Sequence, residues 1–255
     1  MLWYKSWLET RWRFLIGLVL LVCTAAAVVV MHSKVVELLP LVPAPGVGGE
    51  LGRQIRASAE LARDYRGYVW SQWFAQHLSQ TWTLFAVLLG TGGLVSQSSR
   101  GGALFTLSLP ASRGQLLAVR AATGLAELLV LAVVPSLVIV VLSPAVGQTY
   151  SLVDALIHSA CLFVAGTVFF SLASMLSTVW SDVWRPSLIA LFVAAVLRLA
   201  DQISVDIARV SVCRVMSAES FFHGAGLPWL GLGASAAVSV AMLVVATRNI
   251  ARHDF

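Results

Sequence analysis

Long neutral runs of apolar residues, separated by short charged segments, are the main pattern along the chain. Five runs contain no Asp, Glu, Lys or Arg: Phe14–Met31, Gly67–Ser99, Leu128–Val153, Ala155–Ser181 and Ser220–Thr247. Each is long enough for a helix that crosses a bilayer, which takes roughly 17 to 25 residues. A sixth run, Pro186–Ser204, is apolar for twelve residues and then contains Arg198 and Asp201.

These six runs predict six transmembrane helices. The expected spans lie near residues 14–31, 73–96, 120–142, 154–177, 186–204 and 227–247. Helices are expected because a helix satisfies its own backbone hydrogen bonds in hydrocarbon, and no run alternates in polarity as transmembrane β-strands do. The predicted fold class is therefore an all-α integral membrane protein, with residues 1–255 forming one transmembrane domain.

The composition excludes two other classes of protein. Hydrophobic residues make up 58% of the chain and charged residues 11%, whereas soluble domains carry about 25% charged residues. Disorder is excluded because so much apolar surface does not stay in water. The three cysteines, Cys23, Cys161 and Cys213, are scattered and form neither a disulfide framework nor a metal-binding pattern.

The distribution of Lys and Arg places both termini in the cytoplasm. With the N terminus inside, nine basic residues fall in inside segments and seven in outside segments, and the positive-inside rule favours this orientation. The expected outside loop Ser143–Asp154 has no basic residue. A cleavable signal peptide ending near Ala25–Ala27 is the alternative, but the apolar run continues through Val30. We therefore expect a retained anchor and a multi-pass protein of the plasma membrane, the inner membrane of a bacterium.

Amphipathic segments flank the predicted spans. Residues 1–13 carry Trp3, Trp7 and Trp12 beside basic residues, a pattern typical of a helix at the headgroup layer. We expect an N-terminal interfacial elbow helix there; a flank that simply continues into the first span is the alternative. The segment 205–223 mixes charged and apolar residues, and it either lies flat on the outer surface or re-enters the membrane.

The segment after the second predicted span carries the most specific motif in the chain. It reads Leu104-Phe105-Thr106-Leu107-Ser108-Leu109-Pro110-Ala111-Ser112-Arg113. This resembles the cytoplasmic loop of type-2 ABC transporter permeases, where a pattern close to G-T-L-E-F-x-L-S-L-P-x-S-R precedes the third span. The chain departs from that pattern at Gly102-Ala103, at Thr106 near the usual acidic position, and at Gln97-Ser98, where a Glu is common.

The resemblance implies a function and a set of partners. The chain would be the permease subunit of an ABC exporter, paired with a second permease copy or homologue and with two ATP-binding cassette ATPase subunits that hold ATP and Mg. Residues 97–115 would be the cytoplasmic coupling loop. The ATPase contact would be made by Leu104, Phe105, Leu107, Ser108, Leu109 and Pro110. The sequence carries no motif that indicates the cargo.

Common enzymatic motifs are incomplete or absent in the sequence. A phosphate-binding loop needs Gly-Lys-Ser/Thr, but the only lysines, Lys5 and Lys34, do not follow a glycine. Gly233-Ala234-Ser235-Ala236 lacks the second glycine of a Gly-x-Ser-x-Gly site. We therefore predict no catalytic, cofactor-binding or metal site and no nucleic-acid partner. A non-transporting membrane scaffold or sensor subunit is the main alternative, and an intramembrane protease is a weaker one.

Charged and small residues inside the predicted spans are further candidates. Glu127 either lines a translocation pathway or forms a hydrogen bond to a neighbouring helix, because a buried charge in a membrane is costly. Arg198 and Asp201 are three residues apart on one helix face and can pair. Small residues allow close helix packing in lipid, and two such faces are expected to meet a second permease copy: Ala86 with Gly90, and Gly231 with Ser235 and Ser239.

The expected topology is testable with reporter fusions. Fusions at Phe255 and within Gly46–Gly52 should report opposite sides of the membrane, with the C terminus in the cytoplasm, because an even number of spans separates the C terminus from the N terminus. A C-terminal reporter that is active outside the cytoplasm would contradict the six-span topology.

Overall fold

The computed structural model describes residues 2–38, 59–91, 113–180, 182–203 and 211–252. About 89% of the described residues are helical and none lies in a β-strand, so the predicted all-α class is confirmed. The main helices are α1 (Leu2–Leu38), α2 (Tyr65–Tyr68), α3 (Ser79–Gly90), α4 (Arg113–Leu142), α5 (Leu152–Leu176), α6 (Trp184–Ile203), α7 (Val212–Met216), α8 (Glu219–Phe222) and α9 (Trp229–Arg252). A π-helix, Val69–Leu78, joins α2 to α3.

Four helical segments are long and apolar enough to cross a membrane. They are Leu2–Glu37, Gly114–Val146, Leu152–Leu176 and Trp229–Ile250, and they correspond to four of the predicted spans. The described parts of the other two predicted spans are largely helical: residues 73–90 of the second lie in the π-helix and α3, and residues 186–203 of the fifth lie in α6. The structure is thus that of an all-α membrane protein.

The N-terminal helix differs from the sequence-based prediction. Helix α1 runs without a break over 37 residues, so a separate elbow helix over residues 1–13 is not formed. No glycine or proline precedes Gly17, and nothing therefore interrupts the backbone hydrogen bonds. At 1.5 Å per residue α1 is about 55 Å long, which exceeds the thickness of a bilayer core.

The π-helix is unusually long, since π-helices mostly occur as single turns. Three of its side chains, those of Val69, Trp73 and Leu78, are wholly buried. Their spacing of four and five residues matches the wide turn that i→i+5 hydrogen bonds produce. The π geometry therefore directs these bulky side chains into the bundle.

Helix α5 occupies the centre of the bundle. It packs against α3, α4, α6 and α9, and 67% of its most apolar window is buried, against 22–39% for the other three spanning candidates. Glycines allow its close contacts. A β-carbon added at Gly166 would lie 2.2 Å from Trp82, and one added at Gly90 would lie 2.6 Å from the carbonyl oxygen of Phe170.

The two small-residue faces are used for packing within the chain. Ala86 is wholly buried, and Gly90 lies against α5. On α9, Ser239 is buried and its hydroxyl lies 3.0 Å from that of Thr167, while Gly231 lies against Val215. The expectation that these faces meet a second permease copy is therefore corrected: their partners are helices of the same chain.

The helices share two common ends. The end at which α3 finishes and α4 begins, which we term the loop end, also contains the end of α5, because the Ser174 hydroxyl donates to the Gly90 carbonyl at 3.3 Å. Asn249 of α9 lies there too, 3.4 Å from the Thr178 hydroxyl. At the opposite end, the hydroxyl groups of Tyr65 and Ser143 are 2.7 Å apart.

The contact between Gly166 and Trp82 should be intolerant of added volume. We expect Gly166→Ala to lower the free energy of unfolding by about 1 to 3 kcal/mol, the usual cost of overpacking. Gly233→Ala is the matched control, since a β-carbon there has nothing within 4 Å. Thermal unfolding in detergent measures both variants, and equal midpoints for the two would contradict the packing described.

Candidate functional site

Charged side chains from two helices meet at the loop end, where the chain leaves α3. The loop-end polar cluster consists of Glu9, Thr10 and Arg13 on α1 and Arg120 and Glu127 on α4. Residues 92–112 follow directly after α3 and lie outside the described residues. The cluster therefore contacts the end of α3, from which the chain continues toward the predicted coupling loop.

Two arginines bind the carboxyl end of α3. Arg13 Nη1 donates to the Leu88 carbonyl at 2.7 Å, and Arg120 Nη2 donates to the Thr91 carbonyl at 3.2 Å. The last carbonyl groups of a helix have no partner within the helix, and cations are favourable beside them. The two guanidinium groups thus fix the end of α3 to α1 and α4.

Two acidic side chains complete the cluster. Glu9 Oε2 lies 3.1 Å from Arg120 Nη1, and both side chains are partly buried. Glu127 is buried, and its Oε1 accepts a hydrogen bond from the Thr10 hydroxyl at 2.5 Å. Its Oε2 has no hydrogen-bond partner among the described residues. Glu127 therefore bonds to a neighbouring helix, one of its two predicted roles, while a pathway role stays a prediction.

Thr91 connects the loop-end polar cluster to a further helix, α6. Its side chain is wholly buried, and its Oγ1 accepts a hydrogen bond from the Ser187 hydroxyl of α6 at 3.2 Å. Thr91, six residues before the predicted coupling loop begins at residue 97, is thereby connected to α1, α4 and α6.

Arg198 and Asp201 lie away from this cluster and take different partners. Arg198 Nη2 donates to the Ser79 hydroxyl at 2.9 Å, and the Asp201 carboxylate accepts from the Ser211 hydroxyl. A cavity of about 170 Å³ lies beside Arg198 and Cys213. Burial raises the pKa of the Cys213 thiol to about 11, so this thiol is protonated and unreactive at neutral pH.

A buried aromatic cluster at the opposite end was not predicted. His158 is wholly buried; its ring stacks on that of Phe74 with centroids 4.5 Å apart, and its Nδ1 lies 3.2 Å from the Ser217 carbonyl. Trp70 Nε1 donates to the same carbonyl at 3.0 Å. The density of aromatic residues from Tyr65 to Phe74 was the available signal in the sequence.

The tyrosines of this end are neutral. Burial raises the pKa of Tyr65 and Tyr68, and the Tyr68 hydroxyl donates to the Val28 carbonyl at 3.2 Å. The opposite end thus combines these uncharged phenol and indole groups with ion pairs nearer its surface, Arg66 with Asp154 and Arg214 with Glu219.

The predicted site residues fall into three groups. Glu127 belongs to the loop-end polar cluster, whereas Arg198 and Asp201 lie apart from it. The predicted ATPase contact lies outside the described residues: Leu104, Phe105, Leu107, Ser108, Leu109 and Pro110. Comparisons with protein-family models, curated proteins and solved structures find no match.

Removal of the Arg120 guanidinium should destabilise the loop end. In Arg120→Met the buried Thr91 carbonyl loses a donor and Glu9 loses its ion pair, so we expect a loss of about 1 to 3 kcal/mol. The matched control is Arg185→Met, because Arg185 is exposed and pairs with Asp182 within one helical turn. Thermal unfolding in detergent compares the two. Equal destabilisation would show that the Arg120 contacts contribute no more than a surface ion pair.

Proposed function

We propose that this chain is the membrane-spanning permease subunit of an ATP-driven exporter of the type-2 ABC class. Residues 97–115 form its cytoplasmic coupling loop, and a separate ATPase subunit binds there through the segment Leu104–Pro110. Six spans cross the plasma membrane, and the cytoplasm lies on the side of the loop end. The cargo is not assigned.

The observation that carries this proposal is the binding of the carboxyl end of α3 to α1 and α4. Arg13 and Arg120 bind the last carbonyls of α3, and Arg120 belongs to the helix that follows the loop. A displacement of the loop is therefore passed to α1, α3 and α4 together. A coupling loop has to transmit movement to several helices in this way, because the conformational change in the ATPase must move the membrane spans.

The arrangement of the chain ends supports an even number of spans. Glu9 near the N terminus and Asn249 near the C terminus both lie at the loop end. Helix α6 starts near the loop end, where Ser187 contacts Thr91, and α7 follows it near the opposite end. The π-helix with α3, and α6, accordingly serve as the second and fifth spans.

The filled interior supports transport between two copies of the chain. Helix α5 is enclosed by α3, α4, α6 and α9, and Trp82 and Phe170 lie at its glycine contacts. A path through one copy would have to displace this packed core, which is costly. A path at the interface of two permeases leaves it intact, so hydrolysis of ATP in the partner would move the helix ends and open that interface.

The proposed ATPase contact is tested by substitutions in the loop. Phe105→Asp should weaken recovery of the ATPase on the order of 30-fold, because a buried aromatic anchor is worth about 2 kcal/mol or more. The measurement is co-purification in mild detergent with the proposed phosphate-loop ATPase, identified by mass analysis of what accompanies the chain, with hydrolysis followed in liposomes.

Two control variants separate lost contact from lost folding. Thr106→Asp puts the same charge on the next residue, near the position that is usually acidic in type-2 permeases, and should retain the ATPase. Phe105→Leu keeps an apolar anchor and should bind partially. Unchanged recovery with Phe105→Asp would refute the contact, and the absence of any associated ATPase would favour the scaffold or sensor subunit.

A further inference from the structure

A cleft of about 570 Å³ lies at the end of the bundle opposite to the loop end. Its walls come from α7, α8 and the first turn of α9. They include Arg214, Glu219, His223, Trp229 and Leu230. The volume falls within the range of about 300 to 1,000 Å³ that is typical of small-ligand sites.

The cleft presents a positive and a negative group side by side. Arg214 Nε lies 3.6 Å from Glu219 Oε2, and the two side chains are 37% and 33% exposed. This distance is longer than that of a direct charged hydrogen bond. Arg214 Nη2 also donates to the Asp201 carbonyl at 3.3 Å. A guanidinium has five N–H donors and a carboxylate has about four acceptor positions, so both groups retain further donors and acceptors for a ligand.

The cleft opens at the depth of the lipid headgroups. Trp229 and Leu230 begin a helix that is long and apolar enough to span a membrane, and they are 72% and 87% exposed. Large apolar side chains exposed at the end of a spanning helix lie at the membrane–water interface, where tryptophan is enriched. A ligand in this cleft therefore has a polar part beside Arg214 and an apolar part beside Leu230.

We propose that the cleft binds the headgroup of a zwitterionic phospholipid with a primary ammonium group, phosphatidylethanolamine. The phosphate would be bound by Arg214, the ammonium by Glu219, and the upper acyl chain would lie along Leu230. Glu219 disfavours headgroups with a net negative charge such as phosphatidylglycerol. A choline headgroup lacks the N–H donors that a carboxylate binds. This site is independent of the proposed transport function and needs no ATPase.

The test is native mass spectrometry of the full-length chain in detergent. Delipidated protein receives phosphatidylethanolamine or phosphatidylglycerol with identical acyl chains, and bound lipid is counted. We expect about fivefold greater retention of phosphatidylethanolamine, the factor that corresponds to one partly exposed ion pair.

Four variants assign the binding to the cleft. Glu219→Gln should abolish or reverse the preference for phosphatidylethanolamine, and Arg214→Gln should lower retention of both lipids. Arg185→Gln, at an exposed arginine near the loop end, is the matched control and should change nothing. Ala225→Trp should also lower retention, because Ala225 lines the cleft and is exposed. This variant fills the volume without removing the Arg214–Glu219 pair, so it remains informative if Arg214→Gln does not fold.

Two results would overturn the assignment. Equal retention of the two lipids by the unaltered chain would show that the paired charges do not select a headgroup. A preference that persists in both Glu219→Gln and Ala225→Trp would place the bound lipid elsewhere on the protein surface.

Discussion

The hydrogen bonds from Arg13 and Arg120 to the last carbonyl groups of α3 determine which helices meet at the loop end. A backbone carbonyl without a partner in an apolar environment costs several kcal/mol, and Thr91 is wholly buried. Because Arg13 and Arg120 approach this carbonyl end from different helices, α1 and α4 both have to lie beside it. These contacts also require α1 to begin before the apolar run that starts at Phe14. Thr10 and Arg13 reach Glu127 and Leu88 only because this part of α1 stays packed against the bundle.

The centre of the bundle is held mainly by close packing. Gly166 of α5 lies against the Trp82 side chain, and Gly124 of α4 lies against the Phe170 side chain of α5. The contact of α5 with α9 includes the Thr167–Ser239 hydroxyl pair. Apolar side chains gain little from one another in lipid, so close van der Waals contact of this kind is the main source of helix association there. The loop-end polar cluster thus joins helices whose centres are tightly packed. A displacement of this cluster would therefore move whole helices.

The sequence predicts the elements of this fold better than their contacts. Neutral runs locate the helices because burial in hydrocarbon sets their length. The amphipathic pattern at residues 1–13 does not reveal whether the helix breaks before Phe14, since both forms place the tryptophans at the interface. Glu127 stands out by its charge, but its partner Thr10 is one of many hydroxyl residues. Small residues at Gly90 and Ser235 indicate close packing without saying whether the partner is the same chain or another.

The loop-end arginines have two roles in the proposed topology, one during membrane insertion and one in the folded structure. The positive-inside rule acts while segments enter the membrane, before tertiary contacts form. In the proposed topology, Arg13 and Arg120 then act as cationic side chains that retain their segments in the cytoplasm. Once the helices associate, the same guanidinium groups bind carbonyls of α3 and the Glu9 carboxylate. Lysine would act equally well as the cation during insertion. The planar guanidinium is better suited to the contacts of the folded structure, because it donates to a carbonyl and a carboxylate at once, as Arg120 does.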